Sequence, residues 1–531
     1  MNILSLIQQQ ADYTTKWIEK SSITKKQYVS LSVAAAITYF VWKQCSRNRR
    51  TDIDPTLLPP KVEGGLPIVG NLLDLQKNPR QYLNDARKNF GPCFRLYLPG
   101  LGNTVVVTGT LIQEVMKATK NFSFDEGIEN LIPAEKVVRI SYGHKFKKEA
   151  ISPRAKNPII YPIKHNFKEN QIDVFSERIR YALDKALDEE LNIKPGDEQA
   201  VDIKDKLAYI ISRISCLCFA GSKVGVNEEL ITGMAHFTQK IIRAGLFISY
   251  LPSWLSRFLV RWIFSVEQEM DVIMALLVPE LRKIRNGEMG DDYEATFATM
   301  ALNLPKEDGT LRKVEDAAYY FNNIALASIH TTSHFASFAF HELACRPQLV
   351  EDLRAELHTL QGDMTPETVA KLPLMDSFFR EVLRCNPDYL GLHHLTLKDS
   401  TLSTGHVVPK GYFVLLALDQ VQQDMHFLPV NPLTGEVHSG TSPLEEFDAY
   451  RFVGTNIKST TVGLEHMAFG LGAHACPGRF FAANEIKYVV AVMIMRYNIR
   501  TRSGKRAKDN VMLGMTRFPP AEPLIIERRL Q

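Results

Sequence analysis

One cysteine, held in a glycine-rich loop just before a helical run, constrains this chain more than any other feature. The stretch reads Phe469-Gly470-Leu471-Gly472-Ala473-His474-Ala475-Cys476-Pro477-Gly478-Arg479. After it, Ala482, Ile486, Val489, Val490, Met493 and Tyr497 recur at helical spacing, which places Cys476 at a helix start. The unpaired amides and positive dipole end there favour negative charge, so the thiol is expected to ionise more readily than a free one. Gly470 and Gly472 let the backbone turn sharply and approach a flat ligand with N–H groups aimed at the sulfur, and Phe469 can cover its other side. A lone cysteine is otherwise a small buried hydrophobe, and that is the rival reading.

The ungapped string Phe-Gly-x-Gly-x-His-x-Cys-Pro-Gly-Arg resembles the cysteine-ligand loop of the cytochrome P-450 family of haem-thiolate monooxygenases. The resemblance implies haem b as cofactor and Cys476 as its axial iron ligand, a thiolate that favours O–O cleavage. It also implies that His474 bonds a haem propionate, with Phe469, Gly470 and Gly472 shaping the loop around the cofactor.

With 531 residues and 28 phenylalanines the chain can bury a large core, either as one large helical domain or as two or three units. A net charge of +4 and the absence of a basic stripe interleaved with aromatics exclude a nucleic-acid binder. Seven cysteines without paired spacing point to a reducing compartment rather than a disulfide framework or zinc cluster. Cys216 and Cys218, in an apolar run, read as core.

Residues 28–42 are uncharged and mostly apolar, flanked by Lys25 and Lys26 before and by Lys43, Arg47, Arg49 and Arg50 after. The run is shorter than the roughly 20 residues that cross a bilayer comfortably, so aromatic ends and snorkelling lysines have to complete it. It is expected to be a membrane anchor within an N-terminal segment 1–50. A proline- and glycine-rich hinge follows over 51–72, and a catalytic domain over 73–531. By resemblance the protein sits on the endoplasmic reticulum membrane, with a single-pass anchor and the catalytic domain facing the cytosol. Cys93 to Leu98 and Thr104 to Thr108 read as two short strands around Pro99-Gly100-Leu101-Gly102-Asn103.

The run from Leu246 to Phe264 is apolar but interrupted by Arg257 and Arg261. Two readings stand: a face lying on a membrane surface, or ordinary core. The family's Trp-x-x-x-Arg propionate contact has no counterpart here, and Lys164 is either its substitute or a solvated lysine.

Lys313 to Cys345 contains no proline and makes about nine helical turns. At its centre Ala327-Ser328-Ile329-His330-Thr331-Thr332 resembles the family's oxygen-activation motif, Ala-Gly-x-Asp/Glu-Thr-Thr, with serine for the glycine and histidine for the acid. The resemblance makes Thr331 the hydroxyl that supports proton delivery, whereas a mid-helix threonine otherwise bonds its own preceding carbonyl. His330 is expected either to relay a proton near neutral pH or to point elsewhere and hold the helix. The His-Thr-Thr variant resembles filamentous-fungal members of secondary metabolism.

Thr365 and Pro366 read as an N-cap and first helical residue. Beyond them, Glu381 and Arg384 share a helix face. By resemblance they form, with Arg451, a structural triad beneath the haem loop. His393 and His394 are neighbours on a predicted strand and point to opposite faces, so they are not expected to hold one metal ion. By resemblance His394 bonds a haem propionate; a surface histidine is the other reading.

The fold expected is mainly α, one large helical domain with a small β-sheet region after the anchor. The function implied is insertion of one oxygen atom from O2 into a lipophilic small molecule, a terpenoid or related fungal metabolite. Electrons come from NADPH through a reductase on the Cys476 side. Alternatives are a peroxide-rearranging or dehydrating enzyme that needs no reductant, and a non-catalytic haem-binding protein.

Overall fold

The structure, a computed structural model, describes residues 53–66, 69–151, 156–167, 173–248, 253–290, 293–428 and 442–530. The anchor expected over 28–42 lies outside them. Among the described residues no helix is long and apolar enough to cross a membrane.

The helices that frame the site are α1 (Phe124–Leu131), α2 (Ile160–Asn166), α3 (Asp173–Glu190), α4 (Ile203–Ala220), α5 (Glu228–Ile248), α6 (Ser253–Trp262), α7 (Val314–Leu343), α8 (Pro373–Cys385), α9 (Leu418–Gln422) and α10 (Arg479–Arg496). The proline-free run becomes α7, 30 residues long, with Glu315 and Asp316 in its first turn where the helix dipole favours acids. Its burial pattern makes it the central element. Ala317, Phe321, Ala325, Ile329, Ala336 and Phe340 are all inside the main core, together with the inner faces of α3, α4, α5, α8 and α10. Cys216 and Cys218 are buried there too, as the apolar run suggests.

Beside the helices lies a five-stranded sheet in the order β1-β2-β5-β4-β3. Its strands are β1 (Cys93–Leu98), β2 (Gly102–Val107), β3 (Phe122–Ser123), β4 (Gly391–Thr396) and β5 (Phe413–Leu416). β1 and β2 pair antiparallel from Cys93 opposite Val107 to Leu98 opposite Gly102, so β2 starts two residues earlier than the pattern predicts. Alternating residues feed two small cores on the two sheet faces, Val105, Val107 and Val414 on one, Val106, Phe413 and Leu415 on the other. The extended segment before the domain is tied down: Arg95 N–H donates to Pro60 O and Val62 N–H to Arg95 O. A short hairpin, β6 (Asn510–Met512) and β7 (Thr516–Phe518), comes near the chain end.

Thr365 caps the helix Pro366–Ala370, accepting from the Thr368 amide, and Pro373 opens α8. The six cysteines in the described residues are free thiols.

Candidate active site

The cysteine loop folds through its own backbone. The Cys476 amide donates to Phe469 O at 2.7 Å, Gly470 N to Met467 O at 2.9 Å, and Ala475 N to Gly472 O at 3.2 Å. Gly470 and Gly472 take φ of +72° and +62°, where a side chain is strained, and a Cβ on Gly470 would come within 3.0 Å of His474 O. Arg479 donates from Nη1 to Cys476 O and from Nε to Thr460 O, fixing the far end of the loop.

α10 begins at Arg479 with Gly478 as its N-cap. Cys476 therefore lies just before the helix, where the sequence places it. Burial is the largest influence and pushes the thiol up, while the Gly478 amide and Arg479 pull the other way. Burial thus opposes the easier ionisation expected at a helix start, and a cation bound at the sulfur would favour the thiolate.

α7 packs against both α4 and α10, the helix the loop leads into. Midway along it Ala327 and Thr331 are accessible, although Ile329, Thr332 and Ser333 around them are buried. One strip of an interior helix thus borders open space. Thr331 Oγ1 donates to Ala327 O at 2.6 Å, the local bond anticipated for a mid-helix threonine. A hydroxyl with this bond keeps its lone pairs free toward the space.

His330 departs from the proton-relay expectation. Burial, and then Lys204, bring it down to about 4, so near neutral pH it carries no exchangeable positive charge. Its ring lies 6.0 Å from that of His334, which packs edge-on against Phe335, Phe338 and Phe518 of β7. Through Phe518, His334 meets the hairpin, with His330 one turn behind it.

His394 is 1 % exposed, so it is not a surface histidine. A bulge between Gly391 and His394, with Leu392 at φ +47°, interrupts the alternation of β4. His394 Nδ1 meets Leu392 O, leaving Nε2 buried without a partner, and His474 Nε2 is in the same condition. Their rings are 6.4 Å apart, and Phe124 at the start of α1 lies 5.6 Å from one and 6.1 Å from the other. Two unpartnered ring nitrogens brought together this way need an acceptor or donor between them. Phe124 was missed in the sequence, where it is one aromatic among many. Lys164 lies exposed on α2, the helix whose Ile163 a side chain at Gly478 would meet. No group of acidic, histidine or cysteine side chains among the described residues forms a protein-only metal cluster.

Beneath the loop, Glu381 and Arg384 pair through two contacts of 2.7 Å, and Arg451 Nε donates to Glu381 Oε1 at 3.1 Å. All three are at most 1 % exposed. Arg384 also donates to Leu444 O and Gln422 O, and Arg451 to Ser442 O and Pro443 O. Gln422, at the end of α9, completes the link: its Nε2 donates to Arg384 O and its Oε1 accepts from the Met467 amide at 2.8 Å. No sequence signal marks Gln422.

The family model described as Cytochrome P450 matches residues 59–523. The ent-kaurene oxidase of Gibberella intermedia is 26% identical over 372 residues, covering 67% of this chain and 67% of its own. The monooxygenase gliF of Aspergillus fumigatus is 26% identical over 405 residues, 67% and 76% of the two chains. Monooxygenase 151 of Postia placenta is 22% identical over 528 residues, 95% and 98%. Among solved structures, retinoic-acid-bound cyanobacterial CYP120A1 superposes with a TM-score of 0.62 at 20% identity, covering 89% of this chain and 99% of that one.

Proposed function

Because the chain belongs to the cytochrome P450 family and is a P450 monooxygenase, we propose that it oxidises a lipophilic terpenoid or related fungal metabolite with electrons from NADPH delivered by a reductase. The observation that carries the reading is the pairing of two features in one core. The Cys476 loop leads into α10, and α10 packs against α7, on whose interior strip Ala327 and Thr331 stay open.

Haem is the cofactor the family implies, and the residues present fit it. Cys476 would bind its iron, Phe469, Gly470 and Gly472 would cradle it, and the unpartnered Nε2 atoms of His394 and His474 would bond its propionates. When bound, haem supplies the activation of dioxygen and the uptake of electrons. The chain supplies the rest. Thr331 holds a proton at Oγ1 and can turn from Ala327 O to donate it into the open space. Glu381, Arg384 and Arg451 hold the loop through Gln422 and Met467.

An electron donor belongs to the same proposal. The hollow of about 980 Å³ next to the start of α10 is lined by Lys371, Lys458 and Lys487 together with Asp173, Glu367 and Asp376, and Lys487 is paired with Asp376. A membrane location has separate support. On α6 and just after it Trp254, Phe258, Trp262 and Ile263 are 71%, 55%, 75% and 60% exposed, with Arg257 and Arg261 among them. Indole rings next to arginines suit the headgroup layer, which favours the membrane-surface reading of this run over the core reading. The endoplasmic reticulum and the single-pass anchor at 28–42 belong to the same proposal.

The substrate class rests on relatives such as the one named ent-kaurene oxidase. Coexpression with an NADPH-dependent reductase and a panel of terpenoid precursors tests it. A product heavier by one oxygen, formed only with NADPH, is expected. Turnover of a hydroperoxide without NADPH would put the reductant-free reaction in its place.

A further inference from the structure

A glycine sits where a helix prefers almost any other residue. Gly127 lies halfway along α1, buried, and without the positive φ that would call for a glycine. What demands it is a strand. A Cβ at 127 would stand 2.1 Å from His393 O, 2.6 Å from His393 C and 2.9 Å from His394 Cα, all backbone atoms of β4. These are overlaps, and β4 has little room to give. It is paired on both sides, with β5 through His394 opposite Val414 and with β3 through Leu395 opposite Ser123.

The same β3 runs straight into α1, whose first turn Ser123 caps by accepting from the Glu126 amide at 3.2 Å. The chain thus leaves the strand beside β4 and lies down on β4 within one helical turn. Phe124 comes three residues before Gly127, on the same face of α1. Its ring lies 5.6 Å from that of His394 and 6.1 Å from that of His474, while Asp125 and Glu126 are exposed. The His394 ring is also held at Nδ1, 2.5 Å from Leu392 O, so that Nε2 is the end left without a partner.

We propose that Gly127 is a positioning residue for the haem site. Its missing side chain seats α1 directly on the His393–His394 backbone, and this seating keeps His394 Nε2, the Phe124 ring and His474 gathered where the propionates are bonded. The inference rests on the propionate reading of His394 and His474 given above. A side chain at 127 lifts α1 from the strand, draws Phe124 away from the two histidines and displaces the His394 backbone.

The full-length, haem-loaded chain tests this through Gly127→Ala, His394→Gln and Gly245→Ala. Two readouts need no turnover: the rate at which haem passes to an excess of apomyoglobin, and the propionate bending band in the resonance Raman spectrum. Gly127→Ala should release haem about tenfold faster than wild type, the low end for losing a group that orients a cofactor contact, and should shift the band. The thiolate-type carbon-monoxide spectrum should remain, since the Cys476 loop keeps its own hydrogen bonds. Adding Gly127→Ala to His394→Gln should speed haem release no further, because both act through one contact. Gly245→Ala, on α5, is the control for packing alone. Its Cβ would press on Leu131 O and Ile132 Cα at 3.2 Å, at the far end of α1, and it should lower the unfolding midpoint without moving the band. The proposal is overturned by wild-type haem release and band in Gly127→Ala, by effects that multiply in the double variant, or by an equal band shift in Gly245→Ala. If Gly127→Ala does not fold, Phe124→Leu, which removes the ring and leaves α1 on the strand, decides by the same readouts. His394→Gln tests the parent reading. Wild-type haem release and band there sink the propionate contact itself, whereas a clear His394→Gln effect beside a silent Gly127→Ala sinks only the positioning role.

Discussion

Arg451 and Arg384 converge on the same oxygen. Arg384 Nη2 reaches Glu381 Oε1 at 2.7 Å and Arg451 Nε reaches it at 3.1 Å, with every side chain buried. One carboxylate faces two guanidinium groups, and the surplus positive charge is met by the carbonyls of Ser442, Pro443, Leu444 and Glu446. Removing one member of such a set strands the others in a low-dielectric interior.

Glu381→Gln is therefore expected to destabilise the protein by about 3–5 kcal/mol, as for a broken buried ion pair. Denaturant unfolding measures this. Haem retention should fall in parallel, because Arg384 reaches the loop through Gln422. An unfolding midpoint equal to wild type would show that the triad does not support the loop.

Gln422→Ala severs only that link, losing the bonds to the Met467 amide and to Arg384 O while leaving the triad's side-chain contacts intact. A loss of about 1–3 kcal/mol follows for a buried amide left unpaired. The carbon-monoxide spectrum should show more of the inactive, non-thiolate form than wild type. Identical spectra would mean that the loop holds its shape without α9.

Cys476→Ala is expected to abolish the red-shifted absorption of the reduced, carbon-monoxide-bound protein, together with all turnover. A thiolate-type band that survives the substitution would assign the ligand to another cysteine.

Thr331→Ala removes a hydroxyl whose partner is its own helix carbonyl, so stability should change by less than about 1 kcal/mol. Coupling should suffer instead, with NADPH consumed and peroxide released in place of product. Peroxide yield at constant NADPH consumption is the measurement, and unchanged coupling would take the proton-donating role away from Thr331.

His393 provides a pH prediction. Burial, and then His394, bring its ring down to about 4 from 6.5. Between those values the unfolded chain takes up a proton that the native state refuses, so stability is full above about 6.5 and is lost as pH falls toward 4. The ceiling is on the order of 3 kcal/mol for one such group. His393→Phe should flatten this part of the stability profile. An unaltered slope would place the acid sensitivity on other groups.

The sequence alone determined the parts whose signals are local. The glycine-spaced loop around Cys476, the proline-free α7, the first strand and the Thr365 cap depend on neighbours a few residues away, and they lie where the pattern places them. Burial and the pairing of residues far apart in the chain were left to the tertiary structure. Burial works against the easy ionisation that the place of Cys476 before α10 suggests. His330 is held neutral by burial beside His334, whose own ring meets Phe518 of β7. Phe124, His394 and His474 meet, and Gln422 reaches Met467 and Arg384, only once distant segments are folded together. Desolvation and hydrogen bonding sum over everything that surrounds a group in space, and no window along the chain contains that sum.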